Sequence, residues 1–200
     1  MKIYDADIRN LLLSSFKKIS EYTDHEDTVV IHEMDICFGV SRVDVAVING
    51  RIHGYEIKSA QDNLERLSGQ IESYNKVFNT MTIVTCDNHL EKVLDIVPQW
   101  WGVDYVASSK RGLTLKHRRK AKPNKHIDYL SMIYLLWRDE MIELLARQNH
   151  TSGLSHKSRR ELGRTILNNL DYDVIEEYVL QSLKNRTSWK ADLLQQLSDG

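Results

Sequence analysis

The chain has 200 residues, 42% of them hydrophobic and 28% charged, with a formal net charge of −1. It suits one medium domain, or one with a small appendage, built on a buried core, and its partners have to be read from local charge. No apolar run approaches the roughly 18 residues that span a bilayer, and the opening MKIYDADIRN lacks the apolar core of a signal peptide, so no membrane partner is expected.

Asp5 to about Ser20 reads as a helix, with Ile8, Leu11, Leu12, Ser15, Phe16 and Ile19 on one stripe. Thr28 to Ile31 is a short β-branched strand, and Gly39 and Ser41 mark a break. Val43, Val45 and Val47 alternate with Asp44, Ala46 and Ile48 as a strand; Asn49-Gly50 is a turn signal, and Arg51 to Ser59 is the returning strand. Asp62 to Phe78 is helical, MTIVT (Met81 to Thr85) is a buried strand, and Asn88 to Val97 is a helix ended by Pro98. Trp101 to Ala107 and Gly112 to Lys116 are two further strands. The basic run KHRRKAKPNK, Lys116 to Lys125, marks a boundary, placed at 120/121. Beyond it only helices are predicted, at about 126–148, 156–170 and 173–186, with a short tail.

The two cysteines, Cys37 and Cys86, lack CxxC spacing and read as buried thiols of a cytoplasmic protein. No HExxH pattern occurs, which argues against zinc.

Charged residues interrupt the strand pair. Glu56 and Lys58 are two apart and share a face. A two-residue Asn49-Gly50 loop pairs Asp44 with Tyr55 and sends Glu56 to the opposite face. A three-residue loop, Ile48-Asn49-Gly50, pairs Val47 with Arg51 and puts Asp44 on the side of Glu56. Converging buried carboxylates repel each other, and a divalent cation removes the repulsion; oxygen ligands favour magnesium or manganese. Such an ion beside Lys58 suits phosphodiester hydrolysis. The ordinary alternative is a solvated strand face.

The residues Arg42-Val43-Asp44-Val45, Tyr55-Glu56-Ile57-Lys58, the pair Gln70 and Tyr74 in QIESY, and the strand MTIVT together resemble the PD-(D/E)XK nuclease superfamily. The likeness is to its RecB-type branch with a downstream Q-x3-Y motif, over about Glu33 to Thr85. Val43 stands where that pattern has proline. Leu64 to Tyr74 is similar to bacterial and phage members with a helical C-terminal extension. The resemblance implies an α/β fold: a restriction-endonuclease-like mixed sheet flanked by helices, residues 1–120, with an all-α extension, residues 121–200. It implies a Mg2+- (or Mn2+-) dependent deoxyribonuclease. Asp44, Glu56 and the Ile57 carbonyl would hold the metal, Lys58 would be the catalytic lysine, and Gln70 would hold the site or the nucleic-acid backbone with Tyr74 nearby. Such nucleases often carry an earlier acid. Asp5, Asp7, Glu21 and Glu33 compete for that place, and Glu33, eleven positions before Asp44, is the metal-ligand candidate.

For DNA, the cluster Lys110, Arg111, Lys116, Arg118, Arg119 and Lys120 offers phosphate contacts, which supply affinity without sequence choice. A second basic cluster, His156 to Arg164, opens a helix, and Trp100, Trp101, Trp137 and Trp189 read as core packing before base stacking. Cutting both strands of a duplex would favour a homodimer; repair and phage defence are compatible pathways. Two rival readings share this composition: a nucleic-acid-binding protein of this fold without catalysis, and a helical interaction module.

Overall fold

The computed structural model describes residues 3–110, 112–186 and 191–193. The β-branched runs form an antiparallel meander, β1 (Val29–Ile36), β2 (Ser41–Ile48) and β3 (Ile52–Lys58). Helix α3 (Leu67–Val77) then carries the chain over to β4 (Thr80–Cys86), which runs parallel to β3. Helix α4 (Leu90–Ile96) leads on to the parallel β5 (Gly102–Ser109). β4 is buried at all seven positions, as expected of a central strand with parallel neighbours on both sides. β6 (Gly112–Arg119) turns back antiparallel to β5 and forms one edge. The result is mixed α/β: a seven-stranded sheet, order β6-β5-β4-β3-β2-β1-β7, the last strand being the short Ala191–Leu193.

The two sides of the sheet carry separate cores. On one side α1 (Asp5–Phe16) lays Ile8, Leu12 and Phe16, spaced by four, against Val45, Val47, Tyr55 and Val106. The helix stops at Phe16, short of the predicted Ser20, because Ile19 is extended. A four-residue helix, α2 (Ser20–Thr23), then seats Tyr22 edge-on to Phe16 at 5.5 Å. On the other side lie α3 and four helices that follow the sheet: α5 (Tyr129–Ile133), α6 (Arg138–Arg147), α7 (Arg159–Asn169) and α8 (Tyr172–Asn185). Met132, Leu136, Leu144, Ile166 and Val179 share one continuous core with Ala46, Ile48 and Met81 of the strands.

Three expectations are corrected. The helix predicted over 126–148 is broken, because Trp137 is extended and its amide donates to Glu140 Oε2 at 2.6 Å, starting a new helix. The region beyond 126 also contains a strand, β7, paired with β1. The strand predicted over Gly112 to Lys116 runs on to Arg119, into the basic run, and beyond it Lys122 N–H donates to the Trp100 carbonyl at 2.8 Å and Asn124 N–H to that of Asn79 at 2.7 Å. Among the described residues, no helix is long and apolar enough to cross a membrane.

Candidate functional site

The hairpin register decides whether the charged residues meet. Val45 pairs with Tyr55 and Ile48 with Ile52, leaving Asn49, Gly50 and Arg51 as the loop. Neither predicted loop is the one formed, yet the parity is that of the three-residue case, and extending the register by one sets Asp44 opposite Glu56. Past the last ladder pair, the Ile57 amide donates to Asp44 Oδ2 at 2.6 Å. The strand end thus opens into a cleft of about 430 Å³ lined by Asp44, Glu56, Lys58, Arg66 and Gln70, with Asp5 and Asp62 at its sides.

Glu56 is the buried centre, 2% exposed. Its Oε1 accepts from Lys58 Nζ at 2.7 Å and from Gln70 Nε2 at 2.6 Å. Lys58 Nζ also donates to Gln70 Oε1 at 3.0 Å, so lysine, glutamate and amide close a ring. The Tyr74 hydroxyl lies 2.7 Å from both Glu56 Oε2 and the Arg42 carbonyl oxygen; its single proton goes to one of them at a time. Gln70 and Tyr74 reach Glu56 together because they are one turn apart on α3. Burial, and then the charge of Glu56, hold the Tyr74 phenol far above its ordinary pKa.

Asp44 is the most perturbed acid of the set. Burial pushes its carboxyl up to about 7, the charge of Glu56 adds to that, and the Ile57 amide and Arg9 oppose it. Arg9 was not legible as a site residue. From α1 it donates to the Asp44 carbonyl at 3.0 Å and to Glu33 Oε1 at 2.8 Å, with Asp5 Oδ1 at 3.3 Å from its Nε. Burial works against its charge, but Asp5, Asp44 and Glu33 together raise its pKa. The signal in the sequence was the Asp5–Arg9 spacing of four, which is common on solvated helices.

The structure brings Asp44, Glu56, Ile57, Lys58 and Gln70 together and corrects other candidates. Glu33 pairs with Arg9 and is absent from the cleft wall; the early acid lining the cleft is Asp5. Among the described residues, no group of three or more His, Cys, Asp or Glu side chains is placed to hold a metal ion. Tyr74 is fully buried, so it braces Glu56 and offers no surface to nucleic acid.

Lys110, Lys116, Arg118 and Lys120 are exposed at or near the β6 edge. Asp104 pairs with His117 and Val103 with Arg119, which leaves Arg118 as a bulge. Arg119 instead turns inward, its guanidinium donating to the carbonyls of Trp101 at 2.9 Å and Pro98 at 3.0 Å. Arg111 and Trp189 lie outside the described residues. In the second basic cluster, Arg159 donates to the carbonyls of Tyr134 and Leu136 and so holds the end of α5.

Residues 2–199 match the family model described as Bacteriophage P4 protein cII. Protein cII of Enterobacteria phage P4 is 28% identical over 160 residues, 80% of this chain and 60% of that protein. The chain thus spans about 60% of the length of the curated relative it matches. No solved structure matches. Neither match is to a nuclease family. They overturn the assignment to the PD-(D/E)XK superfamily, and with it the reading of the chain as a Mg2+-dependent deoxyribonuclease of repair or phage defence. The physical reason is that the motifs are a handful of short-range residue pairs, whereas the family match runs through both the sheet and the helices. The chain belongs to the bacteriophage P4 protein cII family.

Proposed function

We propose that the chain binds DNA, and that the Asp44–Glu56 cleft holds a divalent cation, Mg2+ or Mn2+, that pairs with a backbone phosphate. The observation that carries this reading is the meeting of two repelling carboxylates and an ammonium in one cleft, with Asp44 held near 7 partly by Glu56. An ion on Asp44 Oδ1, Glu56 and the Ile57 carbonyl relieves that repulsion. Lys58 and Arg66 then face the phosphate. The exposed cations Lys110, Lys116, Arg118 and Lys120 extend the contact; charge and a bulge on an edge strand also block sheet-to-sheet pairing, so the edge supports the reading without carrying it. At finer grain, we infer a restriction-endonuclease-like arrangement of the sheet, used as a binding scaffold, in a cytoplasmic protein whose cysteines stay reduced.

The test is fluorescence anisotropy of labelled duplex and single-stranded DNA across a salt series, with and without Mg2+. Replacing Lys116 and Arg118 by Ala should weaken binding to all sequences and lower the salt slope by about 0.9 per lost contact. Calorimetric titration with Mn2+ should give a saturable site that Asp44→Asn removes. DNA binding undetectable at low salt, or ion binding indifferent to Asp44→Asn, would sink the proposal.

A further inference from the structure

On the α1 side of the sheet, away from the carboxylate cleft, lies a second cavity of about 600 Å³, within the range of small-ligand sites. Its floor is aromatic. The rings of His53 and Tyr55 lie 4.4 Å apart, and the Tyr22 and Tyr55 hydroxyls share a hydrogen bond of 2.8 Å. His53 is fixed through both ring nitrogens, to Thr80 Oγ1 at 2.5 Å and Thr82 Oγ1 at 3.1 Å. Burial, and then Arg51, push its pKa down to about 3, so the floor is uncharged at neutral pH. On the wall is Asp104, 6% exposed, with Oδ1 2.8 Å from His117 Nδ1.

The wall of the cavity is closely packed. A Cβ on Gly102 would stand 2.6 Å from Thr82 Oγ1 and 3.0 Å from the Ala121 nitrogen, so the segment carrying Lys120 and Ala121 lies directly on β5. The Arg119 and Lys122 hydrogen bonds already described hold that segment down. Lys120 is exposed on this lining, while half-exposed Arg51 is paired with Glu21 of the same lining, Nε to Oε1 at 3.0 Å. A neutral aromatic floor, a buried carboxylate on the wall and the exposed Lys120 on the lining form a complementary set. They match a planar ring with N–H donors on one edge and an anion beyond it.

We propose that this cavity binds a nucleobase, guanine foremost, with the ring on the His53–Tyr55 floor, its paired N–H donors on Asp104 and an attached phosphate toward Lys120. Guanine fits best because its ring N–H and exocyclic amine present two adjacent donors to one carboxylate. The inference does not rest on the Asp44–Glu56 cleft. Lys120 is shared with the proposed DNA edge, but loss of nucleotide binding would leave ion binding at Asp44 and the Lys116 and Arg118 salt effect unchanged, so the two readings fail separately.

The experiment is calorimetric titration of the full chain with GMP, AMP, CMP and UMP. GMP should bind tightest, Asp104→Asn should weaken it about tenfold or more, and Lys120→Ala should weaken GMP while leaving guanosine unchanged. Lys120 is exposed, so that variant keeps the test decisive if Asp104→Asn does not fold. Displacement of GMP by a guanine-containing single-stranded oligonucleotide assigns the base to DNA; GMP binding that the oligonucleotide cannot displace assigns it to a free nucleotide. No binding by any of the four, tighter binding of another nucleotide than GMP, or GMP binding unchanged in both variants overturns the proposal.

Discussion

Asp44 carries an electrostatic load that a folded protein rarely keeps without a use. Its carboxyl titrates near 7 against an ordinary 3.8, chiefly through burial and then through Glu56. A raised acid pKa means that the folded state binds the proton more tightly than the unfolded chain. The associated stability is therefore fully present below about pH 4 and is lost as pH rises to about 7. Asp44→Asn keeps an acceptor for the Ile57 amide and removes the repulsion. The melting temperature of that variant should gain on the native chain between about pH 4 and pH 7 and hold its lead above that. Added Mn2+ at pH 8 should narrow the gap. Parallel melting curves for both proteins across this range would show that Asp44 is not strained. Glu56 is different in kind: Lys58 and Gln70 donate to it from β3 and α3, and the Tyr74 hydroxyl stands within reach, so its oxygens find partners in geometry already in place.

At the scale of elements, the hairpin between β2 and β3 turns a sequence pattern into a site. Asn49-Gly50 signalled a turn, but the loop also takes in Arg51 and is displaced from either predicted register: Asn49 N–H donates to the Arg51 carbonyl and Asn49 Oδ1 accepts from the Arg51 amide, both at 3.3 Å. Gly54 lies in the same pair. A Cβ there would stand 2.5 Å from Met81 Sδ and 2.9 Å from a Phe78 ring carbon, so α3 and β4 close onto bare backbone beside the site. Gly54→Ala should cost about 1–3 kcal/mol by overpacking, read as a lower urea midpoint; an unchanged midpoint would mean that Met81 and Phe78 yield freely. A local cap sets the start of α7 at Arg159, three residues past the predicted 156. Ser158 accepts from the Glu161 amide and Glu161 Oε2 accepts from the Ser158 amide at 2.8 Å, a reciprocal capping pair.

At the scale of the whole molecule, the C-terminal helices complete the core of the sheet. Arg186, 5% exposed, bonds to Glu140 and to the Leu135 carbonyl at 2.8 Å, while Asn79 on the sheet side bonds Glu176 of α8 at 2.7 Å. With apolar residues of both regions in one cluster, heat unfolding should be a single transition whose calorimetric and van't Hoff enthalpies agree. Two resolved transitions would mean that sheet and helices fold independently. The family match over 2–199 likewise treats the two regions as one unit.

By itself the sequence determined the element types from β1 to β6, though not β7 or the break in the helix after 126, because apolar spacing of two and of three to four is a local property that burial enforces. It also marked Asp44, Glu56 and Lys58 as charged residues inside strand-like runs. Tertiary structure alone decided that Arg9 and Asp5 border that set, that Glu33 pairs with Arg9, and that Tyr74 is a buried brace. It also decided that His53, Asp104 and Lys120 line one cavity. Those outcomes depend on how strands, helices and loops far apart in the chain come to rest against one another. Short-range spacing holds no information about that, and for the same reason a few matching motif residues could not establish what the whole chain does.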